Sequence, residues 1–381
     1  MTLYVLDDAY NPIYVVDSFT SLIWTTCYYD CGDFELYLKL TEDALNALQP
    51  DYFIVRDDDS SVMVIESLDT VTDAETGDYL IIKGRCLKSI LLRRIFDRQF
   101  FLNNRTTIND LAAAMIDECT SVHYSTHHDR TYRLIPGLTV DTDVTFEAVV
   151  QVQFTGQTLF NGIMSVAQSL GIGLKMSLSG SDLILSFFKG NDNGIEFSPE
   201  FDNLLSSKYS YDKSNYYNQA RIAGEGEGEN RRWMTVLLTT LNDRPRGLEL
   251  RELFVDARDI SSNDGEISYD DYNEMLYQRG KEKLTEKKIQ ESFDSEVEPR
   301  LTYVYKRDYN LGDIVTVNNG YGVSKKSMIS EIVESWDDSG YRVIPKFDSI
   351  EDTTKVRRII LRDSESYVLK DSAGNILTVK G

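Results

Sequence analysis

The residues in this chain that most resemble a reactive or ligand-holding set are SNDGEISYDD, at 262–271. A calcium loop of the EF-hand kind needs Gly at its sixth position and oxygen ligands at its first and twelfth. With Gly265 at position six, Asp264 falls at five and Asp271 at twelve, but Ile260 falls at one and has no oxygen to offer. The better reading is a loop that enters a helix. Cys119, His123, His127 and His128 could ligate a transition metal only if one helix ran through all four. The segment VHYSTHHD is poor in helix formers and lacks the tight paired spacing of zinc sites, so ordinary loop histidines are favoured. The glycines of GEGEGEN, 224–230, lack the Lys and following Ser or Thr of a phosphate cradle and read as a hairpin tip. There is no H-E-x-x-H and no G-x-S-x-G. Carboxylates are abundant, yet nothing singles out two of them as an acid and base pair. Tyr28, Tyr29, Tyr216 and Tyr217 could stack on sugars, but tyrosines on strands more often pack on a sheet face or at an interface. No catalytic, metal or cofactor residue is nominated, and the expectation is a non-enzymatic protein.

The chemistry must therefore lie in surfaces, and composition bounds which ones. The 381 residues allow two to three domains, each with its own core. A formal charge of -22, from 40 basic and 62 acidic residues, argues against a grip on nucleic acid, which needs clustered Lys and Arg. It suits a soluble particle component, or a conduit that DNA crosses without sticking. No apolar run approaches the roughly 20 residues that span a bilayer, and the start MTLYVLDDAY has no basic region followed by an apolar core. Synthesis in a cytoplasm is expected. Four cysteines in so long a chain do not make a disulfide framework, and Cys27 and Cys31 on one strand would stand about 13 Å apart. Free thiols are expected.

The elements follow from periodicity. In the first hundred residues, short strands surround acidic turns, with Phe34, Leu36, Leu38 and Leu40 alternating against polar neighbours. Thr41 is placed to cap a short helix that Pro50 stops. Thr107 caps a helix with Leu111, Met115 and Cys119 on one face, and Thr158 caps another that Gly171 ends. Strands at 173–179 and 182–189 then flank a Gly-Ser turn. Ser268 and Asp271 form a capping pair for the longest helix, whose stripe is Tyr269, Tyr272, Leu276, Gly280 and Leu284. A stripe that narrow predicts a helix lying against a sheet. Further strands are expected at 298–306, 313–318, 328–336 and 341–347, with Asn319-Gly320 as a turn.

The central stretch is 196–233. From Lys208 to Ala223 it reads as one long strand carrying Tyr209, Tyr211, Tyr217 and Ile222, which breaks at the glycine run and returns through Trp233. This segment, with DYNLGDIVTVNNGYG at 308–322 and SLIWTTCYYDCGDFELYL at 21–38, resembles the hub protein of long-tailed bacteriophage tail tips. That family includes the amino-terminal part of tail-associated proteins and is related to the hubs of contractile injection systems. The similarity covers about residues 1–350.

The resemblance implies a mainly β fold with an α+β insertion, in which two barrel-like β domains per chain build a trimeric pseudo-sixfold ring. The corresponding division is 1–105 for the first β-barrel-like hub domain and 106–200 for the insertion. Residues 201–350 form the second, with a long helix near 269–291, and 351–381 a short β-rich extension. Implied partners are the other two chains of a homotrimer, a distal tail protein, a tape-measure protein and receptor-binding or tip proteins. DNA would leave through the channel without specific binding, and the protein would sit at the virion tail tip. Candidate subunit contacts are Tyr209, Tyr211, Tyr216, Tyr217 and Trp233, with Leu311, Gly312 and Asp313 as a turn at a barrel edge. Two alternatives stay open: a carbohydrate-binding or wall-degrading tail protein, and the hub of a bacteriocin-like injection machine.

Overall fold

The structure is a computed structural model that describes residues 1–73, 77–121, 132–238, 244–300 and 302–350. At 103–105, 148–151, 358–360 and 378–380 it describes the backbone alone. In chain order the first β unit comprises β1 (Leu3–Leu6), β2 (Pro12–Val16), β3 (Ser21–Cys27), β4 (Asp33–Lys39), α1 (Glu42–Ala47), β5 (Phe53–Arg56), β6 (Val62–Val71) and β7 (Tyr79–Cys86). The alternation in β4 buries Phe34, Leu36 and Leu38 while Glu35 and Tyr37 stay half-buried, as the period-two pattern requires. Trp24, Leu22 and Ile82 join them in one core, and removing each such side chain from water is worth about 1.5–3 kcal/mol. The predicted cap holds: the Thr41 side chain accepts from the Ala44 amide.

A middle block follows, with β8 (Phe100–Thr107), α2 (Ile108–Thr120), β9 (Leu138–Val140), β10 (Glu147–Phe154), α3 (Leu159–Ser169), β11 (Gly173–Ser179) and β12 (Asp182–Phe188). Both helices start on the predicted threonines, where Thr107 accepts from the Asp110 amide and Thr158 from the Asn161 amide. Strands β8 and β10, absent from the sequence reading, pair antiparallel. The histidines at 123, 127 and 128 lie outside the described residues.

The remaining elements are β13 (Asp192–Phe197), β14 (Leu204–Asp212), β15 (Gln219–Ala223), β16 (Trp233–Leu237), β17 (Glu252–Asp256), α4 (Tyr269–Glu286), β18 (Gln290–Val297), β19 (Ile314–Asn318), β20 (Ser324–Asp337), β21 (Gly340–Ser349), β22 (Arg358–Ile360) and β23 (Thr378–Lys380). The last two pair with each other, and the rest of the expected extension at 351–381 lies outside the described residues.

One expected long strand is two. β14 ends at Asp212, whose carboxylate accepts from the Ser214 amide, and the Tyr216 amide then closes a turn on the Lys213 carbonyl. An aspartate that ties down the backbone two residues on competes with extension. The chain thereby leaves one sheet at β14 and enters another at β15. The hairpin itself is as expected: β15 and β16 pair antiparallel with Ala223 opposite Trp233. The described residues of 298–306, read as a strand, form none; the strand precedes them as β18 (Gln290–Val297), and α4 stops at Glu286.

The barrel expectation is corrected. Among the described residues no sheet closes on itself. Instead one sheet of 13 strands runs β14-β18-β21-β20-β3-β4-β7-β6-β5-β1-β2, with β19 beside β20 and β13 beside β19. The fold is mainly β and its pairing is mostly antiparallel, with β9–β12, β13–β19 and β15–β17 parallel. The sheet is continuous because β20 serves two neighbours. Its first half pairs β19, its register shifts between Ile329 and Glu331, and its second half pairs β3 from Glu331–Cys27 to Trp336–Leu22. A bulge bends a strand and re-aims it, which is what this change of partner needs. Against this sheet, α4 lies on the separate layer β15-β16-β17: Gly280 leaves no room for a methyl group between the helix and the side chains of Val236 and Ile222. A helix seated on a sheet is what its narrow stripe predicted, although Tyr269, counted in the stripe, is exposed.

Candidate assembly surface

Two junctions hold the layers together. The first lies where β5 meets β20 and β21. Arg56 ends the apolar strand Phe53–Arg56, and its guanidinium reaches Glu334 through Nη1 to Oε2 at 2.9 Å and Nη2 to Oε1 at 3.2 Å. Both side chains are almost fully buried. Asp58 takes Nε and Nη2 at 2.8 Å each, Trp336 lies 4.4 Å and Trp24 5.3 Å from the guanidinium carbon, and Tyr341 donates to Glu334 at 2.9 Å. Burial alone would lower the Arg56 pKa, but its hydrogen bonds to Asp58 and Glu334 outweigh that and raise it. The hydrogen bond from Arg56 holds the Asp58 carboxyl below its ordinary range. Lys306 completes the set, 2.8 Å from Asp59 and 3.4 Å from Glu334.

The second junction centres on Tyr28, just past β3 and fully buried. Its ring stands edge-on to Tyr29 and Phe188 at 4.7 and 5.0 Å, and its hydroxyl donates to the carbonyl of Phe188 at 3.1 Å. Gly173 and Gly312 lie so close to the ring that a methyl group at either would come within 2.4 Å of it. Three segments distant in sequence thus converge on one tyrosine. Asp313, buried, fixes the same corner by accepting from the amides of Asn191 and Asn310 at 2.8 Å and from Asn193 Nδ2 at 3.2 Å. Between the junctions lies a cavity of about 500 Å³, lined among others by Cys27, Cys86, Lys88, Met176 and Lys306.

The structure separates the residues singled out in sequence. Tyr209 packs on Phe293 at 5.0 Å and its hydroxyl meets Glu291. Tyr216 is buried, and Tyr217 packs against the core under α4. Leu311 packs on the core of the second β unit, Gly312 takes a φ of 89°, and Asp313 is the buried acceptor just described. Tyr211 and Trp233 face outward, 45% and 48% exposed. Trp233 has a neighbour that sequence did not reveal: Phe254 on β17, 59% exposed, with ring centroids 6.2 Å apart. Arg221 and Arg231 stand 5.4 and 5.6 Å from the Trp233 ring. The outer face of the three-strand sheet therefore carries two exposed aromatics among arginines, the side-chain types enriched where proteins meet. Arg56, Glu334 and Phe254 were missed in sequence. The only local sign was a lone arginine closing the apolar run FIVR.

Among the described residues no group of His, Cys, Asp and Glu could hold a metal ion. The 262–271 stretch is a helix entry: the Asp271 amide donates to Ser268 Oγ at 3.2 Å. No helix among the described residues is long and apolar enough to cross a membrane.

Residues 2–347 match the family of the Siphovirus ReqiPepy6 Gp37-like protein. The chain belongs to this family. Its fold is also that of solved tail proteins. The tail protein from Neisseria meningitidis MC58 superposes with a TM-score of 0.56 at 13% identity, over 92% of this chain and 96% of that one. The 43 kDa tail protein of prophage MuSo2 from Shewanella oneidensis gives 0.55 at 15%, over 91% and 98%. At such identities the likeness concerns fold. A different match, 28% identical over 129 residues, links 30% of the chain to 39% of the phosphate-binding protein PstS of Staphylococcus saprophyticus. The chain thus spans about two fifths of that curated relative.

Proposed function

We propose that this member of the Gp37-like family is a structural protein of a phage tail, and specifically the central hub of the tail tip. The observation that carries the reading is the reach of both likenesses: the family match runs over 2–347, and the tail-protein fold takes in more than nine tenths of the chain. A sheet that threads both β units through β20 and β3 suits a load-bearing ring segment, because it joins those units by backbone hydrogen bonds.

In this reading, 1–105 and 201–350 are the two hub domains, 106–200 is the insertion between them and 351–381 an extension. Three chains form a ring in which six such domains face a sixfold distal tail protein, with a tape-measure protein above and receptor-binding or tip proteins below. DNA leaves through the centre, past walls whose negative charge repels its phosphates. The chain acts without catalysis, after synthesis in the bacterial host. The exposed face around Trp233 and Phe254, with Tyr211, is the candidate contact region.

Light scattering on the purified chain across a concentration series, followed by negative-stain imaging, tests the reading. The expected result is a trimer with a central hole. A monomer at every concentration, together with absence of the protein from the tips of purified tails, overturns it.

A further inference from the structure

We infer that the cavity between the two junctions binds a small monocarboxylate with an apolar body, whose carboxylate sits on the Lys88 ammonium. The cavity holds about 500 Å³, within the range of small-molecule sites. Its walls come from three parts of the chain: Thr26 and Cys27 at the end of β3, Leu174 and Met176 on β11, and Tyr305, Lys306 and Leu311 ahead of β19.

The charges around the cavity call for an anion. Lys88 lies in the 3₁₀ turn Leu87–Arg93 just past β7 and is only 5% exposed. Its Nζ donates to the carbonyl of Cys27, another lining residue, at 2.7 Å, and among the described residues no carboxylate forms an ion pair with it. A buried charge normally has an opposite charge beside it, because taking it out of water alone is costly. An ammonium has three protons to donate, and the Cys27 carbonyl takes one, which leaves donors for the two oxygens of a carboxylate. The rest of the lining has the same sign. Lys175 and Lys306 line the cavity too, against one carboxylate among the described residues, Asp59, which Lys306 already holds at 2.8 Å. In a chain of formal charge -22 this is a local excess of positive charge.

The remaining wall decides the kind of anion. Val62, Leu87, Leu174, Met176, Phe188 and Leu311 present an apolar surface. A fully hydrated ion such as phosphate would lose water against that surface without return, whereas a hydrocarbon chain is driven onto it. An occupant touching all three walls braces the first β unit, the middle block and the second β unit against one another.

Isothermal titration calorimetry of the full chain with sodium octanoate tests this, with octanol as the same chain without the charge and acetate as the charge without the chain. Octanoate should bind at a single site and raise the melting temperature. Octanol should bind about tenfold or more weaker, and acetate about a hundredfold or more. Lys88→Met should weaken octanoate about tenfold or more, and Lys175→Met, at an exposed part of the wall, by about threefold or less. A diazirine-bearing octanoate analogue, photolysed on the wild-type chain, should label peptides that line the cavity. Absence of octanoate binding, octanol binding as tightly as octanoate, unchanged affinity in Lys88→Met, or labelling confined to peptides outside the cavity each overturns the proposal. The wild-type titrations and labelling decide it even where a variant does not fold.

Discussion

Arg56 and Glu334 stand 278 residues apart in sequence and share two hydrogen bonds in the interior, between two tryptophan rings and a tyrosine hydroxyl. A buried charge left without its partner costs far more than the pair contributes net. Glu334→Ala should therefore lower unfolding free energy by about 3–5 kcal/mol, measured by urea denaturation. Asp58→Asn, at a half-exposed partner of the same arginine, should cost about 1 kcal/mol or less. Equal effects from both variants would mean that burial does not set the energetics of this cluster.

Gly312 and Gly322 have nearly the same backbone, with φ of 89° and 87°, but differ in surroundings. A methyl group on Gly312 meets the Tyr28 ring at 2.4 Å, whereas one on Gly322 meets nothing within 4 Å. Both alanine variants carry the cost of a left-handed backbone, roughly 1–2 kcal/mol. Only Gly312→Ala should add a packing cost, of about 1–3 kcal/mol, and lose part of the near-ultraviolet signal of Tyr28. Comparable melting temperatures for the two would refute the close packing at this corner.

Glu282 lies buried on α4, where desolvation raises its pKa above the ordinary carboxylate value even though Gln278 donates to it at 3.1 Å. The folded state then holds the proton more tightly than the unfolded chain. Its favourable contribution is complete below the unfolded pKa and is lost as pH rises through the folded one. Glu282→Gln keeps an acceptor for Gln278 and should be more stable than wild type at neutral pH. Melting curves from pH 7 down to pH 4 should show that advantage shrink; an advantage that grows towards acid would give the opposite sign.

Trp233 is half exposed, so Trp233→Ser should leave monomer stability within about 1 kcal/mol. If the face it shares with Phe254 is a subunit contact, self-association should weaken by tenfold or more in sedimentation equilibrium. Tyr209→Phe, which loses a hydroxyl facing Glu291 inside the chain, should do the reverse: lower stability with association unchanged.

What could be read in the sequence was what short range decides. Thr41, Thr107, Thr158 and Ser268 each cap the expected helix, because a cap is settled within three residues. The β15-β16 hairpin was equally legible from its glycine tip. The break at Lys213 was not, because alternating tyrosines look the same on one strand or two. The open sheet was hidden for a different reason: whether strands close into a barrel depends on what β20 pairs with, and its bulge at Ser330 has no glycine or proline to mark it. Of the candidate site, Trp233 was visible in sequence, but its partner Phe254 lies across a parallel pairing that local pattern does not encode.

The joining of β3 to β20 has a consequence for the order in which the chain can be made. While the ribosome adds the roughly 300 residues that separate them, at about 5–20 residues per second, the β3 edge waits some 15–60 s without its neighbour. An unpaired edge of that kind invites the wrong strand, including the same edge of another nascent chain on the same message. Yield in the host should therefore respond to chaperone supply and translation speed more steeply than the stability of the finished protein would suggest.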